Sequence, residues 1–344
     1  GDRVELVSLS DGEGVLKTLG LYWCPKQDEF AFIVNNLQEP PNPPTKRTVL
    51  SEISKLFDPI GLLSPVIVIA KLIMQKIWVA GLPWDTQLEG DILQEWLQFR
   101  TSLQHVNNIR ISRCLLYPNH IKVELHGFSD ASKHAYGAAL YLRCVYADAS
   151  VSLRLICSKS RVAPVKPITI PRMELLGAHL LARLISKVAG SFNLQFSNII
   201  LWTDSQIVLA WLTKPSSALH VFVRNRVANI RLFLEPLKVQ WKYISTKENP
   251  SDVVSRAERA VLEAMEQRIY SEFAATHQES TSSSQHSPRN DRVGRRERPA
   301  FVDLEVGHHR QHLPEIGHLS SSSGCQNRGE HLSASSFPPV HPPN

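Results

Sequence analysis

The stretch IKVELHGFSDASKHAYGAALYLRCVYADASVSLRLICS, residues 121–158, carries the strongest structural pattern in this chain. Residues 122–129 alternate apolar and polar side chains, 136–146 are apolar and aromatic, and 151–158 alternate again. A period of two is how a strand buries one face, so three consecutive strands are predicted. Downstream, Pro171 suits the start of a helix over 171–188, whose Leu176, Leu180, Leu184 and Val188 share one face. Residues 198–203 read as a short buried strand, 205–212 and 219–234 as helices, and 239–244 as a fifth strand; Asp252 opens a last helix. The order β-β-β-α-β-α-α-β-α predicts an α/β fold, a five-stranded sheet covered by helices.

Working outward, residues 15–23 and 30–34 look strand-like and 40–44 form a proline-rich break. Apolar residues then recur at helical spacing over 48–57, 66–78 and 91–103, the last presenting Ile92, Trp96 and Phe99. The longest apolar stretch, 60–82, is interrupted by Pro65, Lys71, Gln75 and Lys76, so it is expected to be a buried helix and not a membrane span. Beyond residue 276 the chain turns to serine, histidine, proline and arginine, which bury too little apolar surface to offset ordering entropy, and disorder is expected.

The 344 residues suffice for about two domains. Lysine plus arginine, 38 against 32 acidic residues, gives a net charge of +6, which favours a polyanionic partner. Five scattered cysteines without C-x-x-C spacing argue against a disulfide framework and against a cysteine zinc site. No basic region followed by an apolar core marks a secretory leader, so an intracellular, non-secreted protein, cytoplasmic or nuclear, is expected, with its start upstream.

Four acids fall at element boundaries: Asp130 at the end of the first strand, Glu174 in the first turn of the long helix, Asp204 after the fourth strand, and Asp252 at the last helix. Strand carboxyl ends form the ligand crevice of open α/β sheets, so Asp130 and Asp204 would share a rim if their strands are neighbours. Gly177 and Ala178 are small enough to let the helix carrying Glu174 pack closely on the sheet. Clustered carboxylates are the hard oxygen ligands that magnesium takes, and two such ions about 4 Å apart serve in-line phosphodiester cleavage. Taken singly, Asp204 and Asp252 also fit helix N-caps, and Glu174 fits a helix N-terminus through the dipole.

The strings GFSDAS (127–132), PRMELLGA (171–178), LWTDSQIVLAWL (201–212) and ENPSDVVSRA (248–257) together resemble the ribonuclease H domain of BEL/Pao-type retrotransposon polyproteins. The resemblance extends upstream through LGLYWCPKQDEF (19–30), TKRTVLSEISKLFDPIGLLSPV (45–66), WVAGLPWD (78–85) and IRISR (109–113). It implies a mixed sheet with the first three strands antiparallel and the fourth and fifth parallel to the first. It also implies a division into the end of a polymerase palm with linker (1–44), a helical thumb- or connection-like region (45–118), a ribonuclease H-like domain (119–265) and a low-complexity tail (266–344).

By the same resemblance Asp130, Glu174, Asp204 and Asp252 are the catalytic and metal-binding carboxylates. They would hold two Mg2+ ions, with Mn2+ as substitute, to cut the RNA strand of an RNA–DNA hybrid, and the rest of a retroelement polyprotein would be a partner. A histidine common before the last carboxylate in such enzymes is absent from 246–249, which implies slow turnover. The alternative function is a catalytically silent nucleic-acid-binding or scaffold remnant.

For substrate contacts, Ser129 and Ser205 flank the acids and are candidates to bind the hybrid backbone or a ribose 2′-hydroxyl. Arg224, Arg226 and Arg231 are candidates for phosphate contacts, and Trp211 or Phe222 for packing on a sugar; a solvated basic face with core aromatics is the other explanation. Residues 146–149, Tyr-Ala-Asp-Ala, resemble a damaged polymerase signature but fit a strand-connecting turn, and no Asp-Thr-Gly or Asp-Ser-Gly of an aspartic peptidase occurs. His308, His309, His312 and His318 with Cys325 sit in serine-rich surroundings that favour disorder over a zinc module.

Overall fold

The structure is a computed structural model that describes residues 21–34 and 43–256. The chain divides into compact units 1–304 and 305–344, and every described residue belongs to the first. The start of the strand expected at 15–23, the tail expected at 266–344 and the histidine group near its end lie outside the described residues.

The three predicted strands form and run longer than their alternation indicated: β4 (His120–Ala131), β5 (Ala135–Tyr146) and β6 (Val151–Val162). The linker after Tyr146 is a turn, with the Ala149 amide donating to the Tyr146 carbonyl at 3.0 Å. The chain continues through α4 (Ile170–Ala189), β7 (Asn198–Thr203), α5 (Gln206–Thr213), α6 (Val221–Leu234), β8 (Val239–Tyr243) and α7 (Asp252–Arg256). Strand order is β6-β5-β4-β7-β8. Pairs β4–β5 and β5–β6 are antiparallel, whereas β7 is parallel to β4 and β8 parallel to β7. This is the five-stranded mixed sheet of the ribonuclease H-like fold.

One sheet face buries Val123, Leu125, Ala138, Leu140 and Leu142 against Met173, Leu180, Leu181 and Ile185 of α4 and Val223, Val227 and Ile230 of α6. Helix α4 is amphipathic over its 20 residues and ends at Gly190. Truncating a buried leucine such as Leu181 to alanine in such a core costs about 2–5 kcal/mol.

Upstream, β1 (Leu21–Cys24), β2 (Glu29–Phe32) and β3 (Arg110–Ser112) make a small antiparallel sheet. With α1 (Lys46–Ser54), α2 (Ser64–Val79) and α3 (Gly90–Ser102) it encloses a second core around Val49, Val66, Ile77, Trp96 and Phe99. The apolar stretch at 60–82 is thus a buried helix and its preceding turn, and no helix among the described residues is long and apolar enough to cross a membrane.

The two cores meet along β6, the outer strand of the large sheet. An unpaired edge strand exposes a row of backbone donors and acceptors. Here the turn before α2 covers them: the Ser158 amide donates to the Ile60 carbonyl at 3.0 Å, and the Ser158 hydroxyl donates to the Gly61 carbonyl. Lys71 Nζ donates to the Ser160 carbonyl at 3.1 Å, and Gln75 Nε2 to the Ala163 carbonyl at 2.7 Å. The turn is anchored by Asp58, whose carboxylate accepts the Leu62 and Leu63 amides at 2.8 and 2.7 Å. Gly61 has φ +80°, and a Cβ there would stand 1.7 Å from the Ser158 carbonyl oxygen.

Gly61→Ala is therefore expected to destabilise the protein by at least about 2 kcal/mol, from left-handed strain plus forced separation of the turn from β6. Gly81→Ala serves as its control, because φ there is +66° but nothing lies within 4 Å of the added carbon. It should cost about 1 kcal/mol. Equal urea midpoints for the two variants would show that the docking contact contributes nothing.

Candidate active site

Parallel register brings the first two acids together. The last matched pair of β4 and β7 is Ser129–Thr203, so Asp130 and Asp204 follow it side by side at the carboxyl ends of neighbouring strands. The next parallel strand, β8, delivers Thr246 to the same rim, where its hydroxyl donates to Asp204 Oδ2 at 2.8 Å. Helix α4 reaches the rim because Gly177 lies against β4: a Cβ there would stand 3.0 Å from the Asp130 carbonyl oxygen. Glu174, one turn earlier on α4, accepts a hydrogen bond from the Ser205 hydroxyl at 2.5 Å.

The fourth acid is carried by helix α7. Asn249 Nδ2 donates to the Ser129 carbonyl at 3.0 Å, the Ser251 hydroxyl to the Phe128 carbonyl at 2.9 Å, and the Ser255 hydroxyl to Asp130 Oδ2. Ser132 closes the clasp by donating to the Ser255 carbonyl at 2.8 Å. Asp252 is thereby placed within electrostatic reach of Asp130.

Several local expectations are corrected. The helix carrying Glu174 starts at Ile170, one residue before the proline, and has no acid in its first turn. Glu174 thus lies in the second turn, where the terminal dipole contributes less. The N-cap of α5 is Ser205, whose hydroxyl accepts from the Val208 amide, so Asp204 does not cap that helix. Asp252 is the first residue of α7 and not a flanking cap.

Ser129 and Ser205 are buried and their hydroxyls are spent inside, Ser129 on the Trp202 carbonyl at 3.4 Å and Ser205 on Glu174 and Val208. Ser205 thereby holds the Glu174 carboxylate as well as capping α5. Arg231 ties down the α5–α6 connection through the Leu212 and Lys214 carbonyls. Arg224 is exposed on α6, Arg226 lies over the Phe222 ring at 3.7 Å, and Trp211 and Phe222 pack partly buried against the core.

Sequence reasoning missed Ser255, Ser251, Asn249 and Thr246, which hold the acids. Their spacing was informative in part: Ser251 and Ser255 sit one turn apart around Asp252.

Two acids on the same face of β4 show what distinguishes this site. Burial alone would raise Glu124, but Lys122, Asn198 and Arg143 outweigh it and hold that carboxyl down to about 2. Asp130, six residues on, has no cationic partner among the described residues. Burial first, then the Asp204 and Asp252 charges, push it up to about 6, against the lowering effect of Ser255. Glu174 is likewise raised by burial and by Asp204, with Ser205 opposing. Burial and the neighbouring Asp204 and Asp252 charges thus both raise Asp130, an arrangement that cations relieve.

Among the described residues, no group of three or more His, Cys, Asp or Glu side chains is drawn together closely enough to hold a metal ion as it stands. The chemistry of the rim nevertheless fits a hard cation. All its ligating groups are carboxylates, and Asp204 Oδ1 is buried with no hydrogen-bond partner among the described residues. Serine and threonine hydroxyls occupy the facing oxygens of Asp130, Glu174 and Asp204.

The raised Asp130 pKa links stability to pH. The native state retains a proton that the unfolded chain has lost, so this contribution is present at acid pH and disappears as pH rises through about 6. The difference in Tm between Asp130→Asn and wild type, without divalent ions, should therefore grow in favour of the variant from pH 5 to pH 8; a constant difference would contradict the assignment. Ser205→Ala, which removes a helix cap and the Glu174 donor together, should cost about 1–2 kcal/mol by denaturant melting.

Residues 45–205 match the family model described as Pao retrotransposon-like RNaseH-like domain, a span that contains Asp130, Glu174 and Asp204 and ends before Asp252. No curated protein matches. Among solved structures, the ribonuclease H1 of the halophilic archaeon Halobacterium salinarum NRC-1 is 16% identical, with 42% of this chain and 98% of that one covered and a TM-score of 0.27. LC11-RNase H1, solved in complex with an RNA/DNA hybrid, is 10% identical, covering 39% of this chain and 93% of the other, at a TM-score of 0.28. The prototype foamy virus protease-reverse transcriptase is 10% identical over 62% of this chain and 30% of the viral one, at a TM-score of 0.25. The helical segment docked on β6 and the elements that carry the first three acids thus fall within a single match, and residues 45–205 are similar to the Pao retrotransposon-like, ribonuclease H-like domain family.

Proposed function

We propose that this chain is a retrotransposon-derived ribonuclease H, part of a reverse transcriptase polyprotein, that hydrolyses the RNA strand of RNA–DNA hybrids. The observation that carries this function is the rim itself. Asp130 and Asp204 end adjacent parallel strands, Glu174 and Asp252 approach from helices on either side, and among the described residues Asp130 has no cationic partner and one Asp204 oxygen has no donor. Two Mg2+ ions, with Mn2+ as substitute, would supply activation of a water and stabilisation of the leaving oxygen.

The chain's own groups do the rest. Asp130, Glu174, Asp204 and Asp252 provide the oxygen ligands, and Ser255, Ser205 and Thr246 hold three of them in place until cations compete for the same oxygens. Cation binding requires ionised Asp130, so activity should fall as pH drops below about 6. The absence of histidine at 246–249, where Thr246 instead donates to Asp204, fits slow product release.

A silent remnant is the second function, favoured by one observation: the acids are apart, with a hydroxyl on each of three. The two are separated by incubating the full chain with an RNA–DNA hybrid labelled on each strand, in Mg2+ or Mn2+. An active nuclease cuts only the RNA strand, leaves 5′-phosphate and 3′-hydroxyl ends, and drops to background in Asp130→Asn and Asp204→Asn. A folded wild-type chain that leaves the hybrid intact with either ion is the silent form.

A further inference from the structure

A second set of charges runs along the flank of the helical layer. On β6, Lys159 pairs with Ala138 and Arg161 with Tyr136, partners whose side chains belong to the α4 side of the sheet. Both basic residues are exposed there. On α4, Arg172, His179 and Arg183 are spaced by seven and four residues, which places them on one helix face. Burial first, and then the positive charges of Arg226, Arg183 and Arg161, hold the His179 imidazole below its usual range, so three guanidiniums from β6, α4 and α6 converge around it.

The array continues to the active rim. The guanidinium of Arg226 lies 3.7 Å from the Phe222 ring centroid and that of Arg172 lies 5.1 Å from it. Arg172 stands two residues before Glu174. Cations on an aromatic ring are held in place with less freedom than solvated ones.

None of Lys159, Arg161, Arg172, Arg183 and Arg226 forms an ion pair among the described residues. Of the other described arginines, Arg47, Arg100, Arg113 and Arg143 each bind an acid within 2.6–2.8 Å, and Arg110 and Arg231 are tied to backbone carbonyls. An array of like charges without counter-ions repels itself and costs stability unless a polyanion offsets it. Guanidinium groups match phosphate oxygens in geometry as well as charge.

We propose that Lys159, Arg161, Arg183, Arg226 and Arg172 form a continuous cationic track that seats the sugar-phosphate backbone of the hybrid and leads it to the carboxylate rim at Glu174. The track rests on the nuclease function above and adds its substrate path. Phe222 is the spacer that keeps the two guanidiniums nearest the rim in register.

The test is the salt dependence of binding. The full chain is titrated into a short labelled RNA–DNA hybrid in EDTA, where no cleavage competes, over a series of salt concentrations. Arg172→Gln with Arg226→Gln should weaken binding at low salt by about tenfold and reduce the slope of log affinity against log salt by about 1.5–2. Arg172→Lys with Arg226→Lys keeps both charges and should restore most of that slope, which separates lost phosphate contact from misfolding. Lys26→Gln with Lys55→Gln removes the same charge from exposed positions outside the track and should change neither quantity.

If the glutamine pair behaves like the Lys26 and Lys55 pair while wild type binds and cuts the hybrid, the track is a solvated face and only this inference fails. A wild-type chain that neither binds nor cuts the hybrid overturns both the track and the nuclease function.

Discussion

Removing a carboxylate from water without a counter-ion costs several kcal/mol, and the architecture around Asp130 is organised by that cost. The strand end that carries it is covered by α7, packed against by α4 and flanked by β7, so its side chain is almost wholly buried. Hydroxyl donors meet part of the cost, with Ser255 on Asp130, Ser205 on Glu174 and Thr246 on Asp204. What hydroxyls do not supply is positive charge. Glu124, on the same strand and face, receives it from Lys122 and Arg143 and is a settled ion-pair network. Among the described residues Glu124 is compensated by cations, whereas Asp130 forms no ion pair and rests on hydrogen-bond donors.

Each element around the rim is fixed by a contact elsewhere. Helix α7, described over Asp252–Arg256, is held by Asn249, Ser251 and Ser255 reaching back to the end of β4. Helix α4 approaches through Gly177, where a larger residue would push Glu174 from the sheet. The outer strand β6 is closed by the turn at Gly61, which joins the helical segment to the sheet through backbone hydrogen bonds. The family match runs across this junction, as expected if the two parts are selected as one packing unit.

Charge is also distributed with a spatial logic. The four acids lie at one rim of the sheet, and several basic residues without ion pairs among the described residues lie on the neighbouring flank, the two sets meeting where Arg172 and Glu174 share the first turns of α4. Opposite signs are thereby adjacent but not neutralised, which a polyanion carrying its own cations to a carboxylate site can exploit.

The sequence by itself determined the element order, the α/β class, the four acids and their placement near element ends. Those properties are local: alternation in 122–129 and 151–158 and the helical stripe through Leu180 and Leu184 are written in nearest neighbours along the chain. The resemblance carried the strand directions, which periodicity does not encode. Only the tertiary structure decided which strands adjoin, that Ser205 and not Asp204 caps α5, that Ser129 and Ser205 are buried, and that Thr246 and Ser255 bind the acids. The Thr246 and Ser255 contacts span 42 and 125 residues of chain, and a one-dimensional pattern holds no information about which distant donor reaches a given carboxylate.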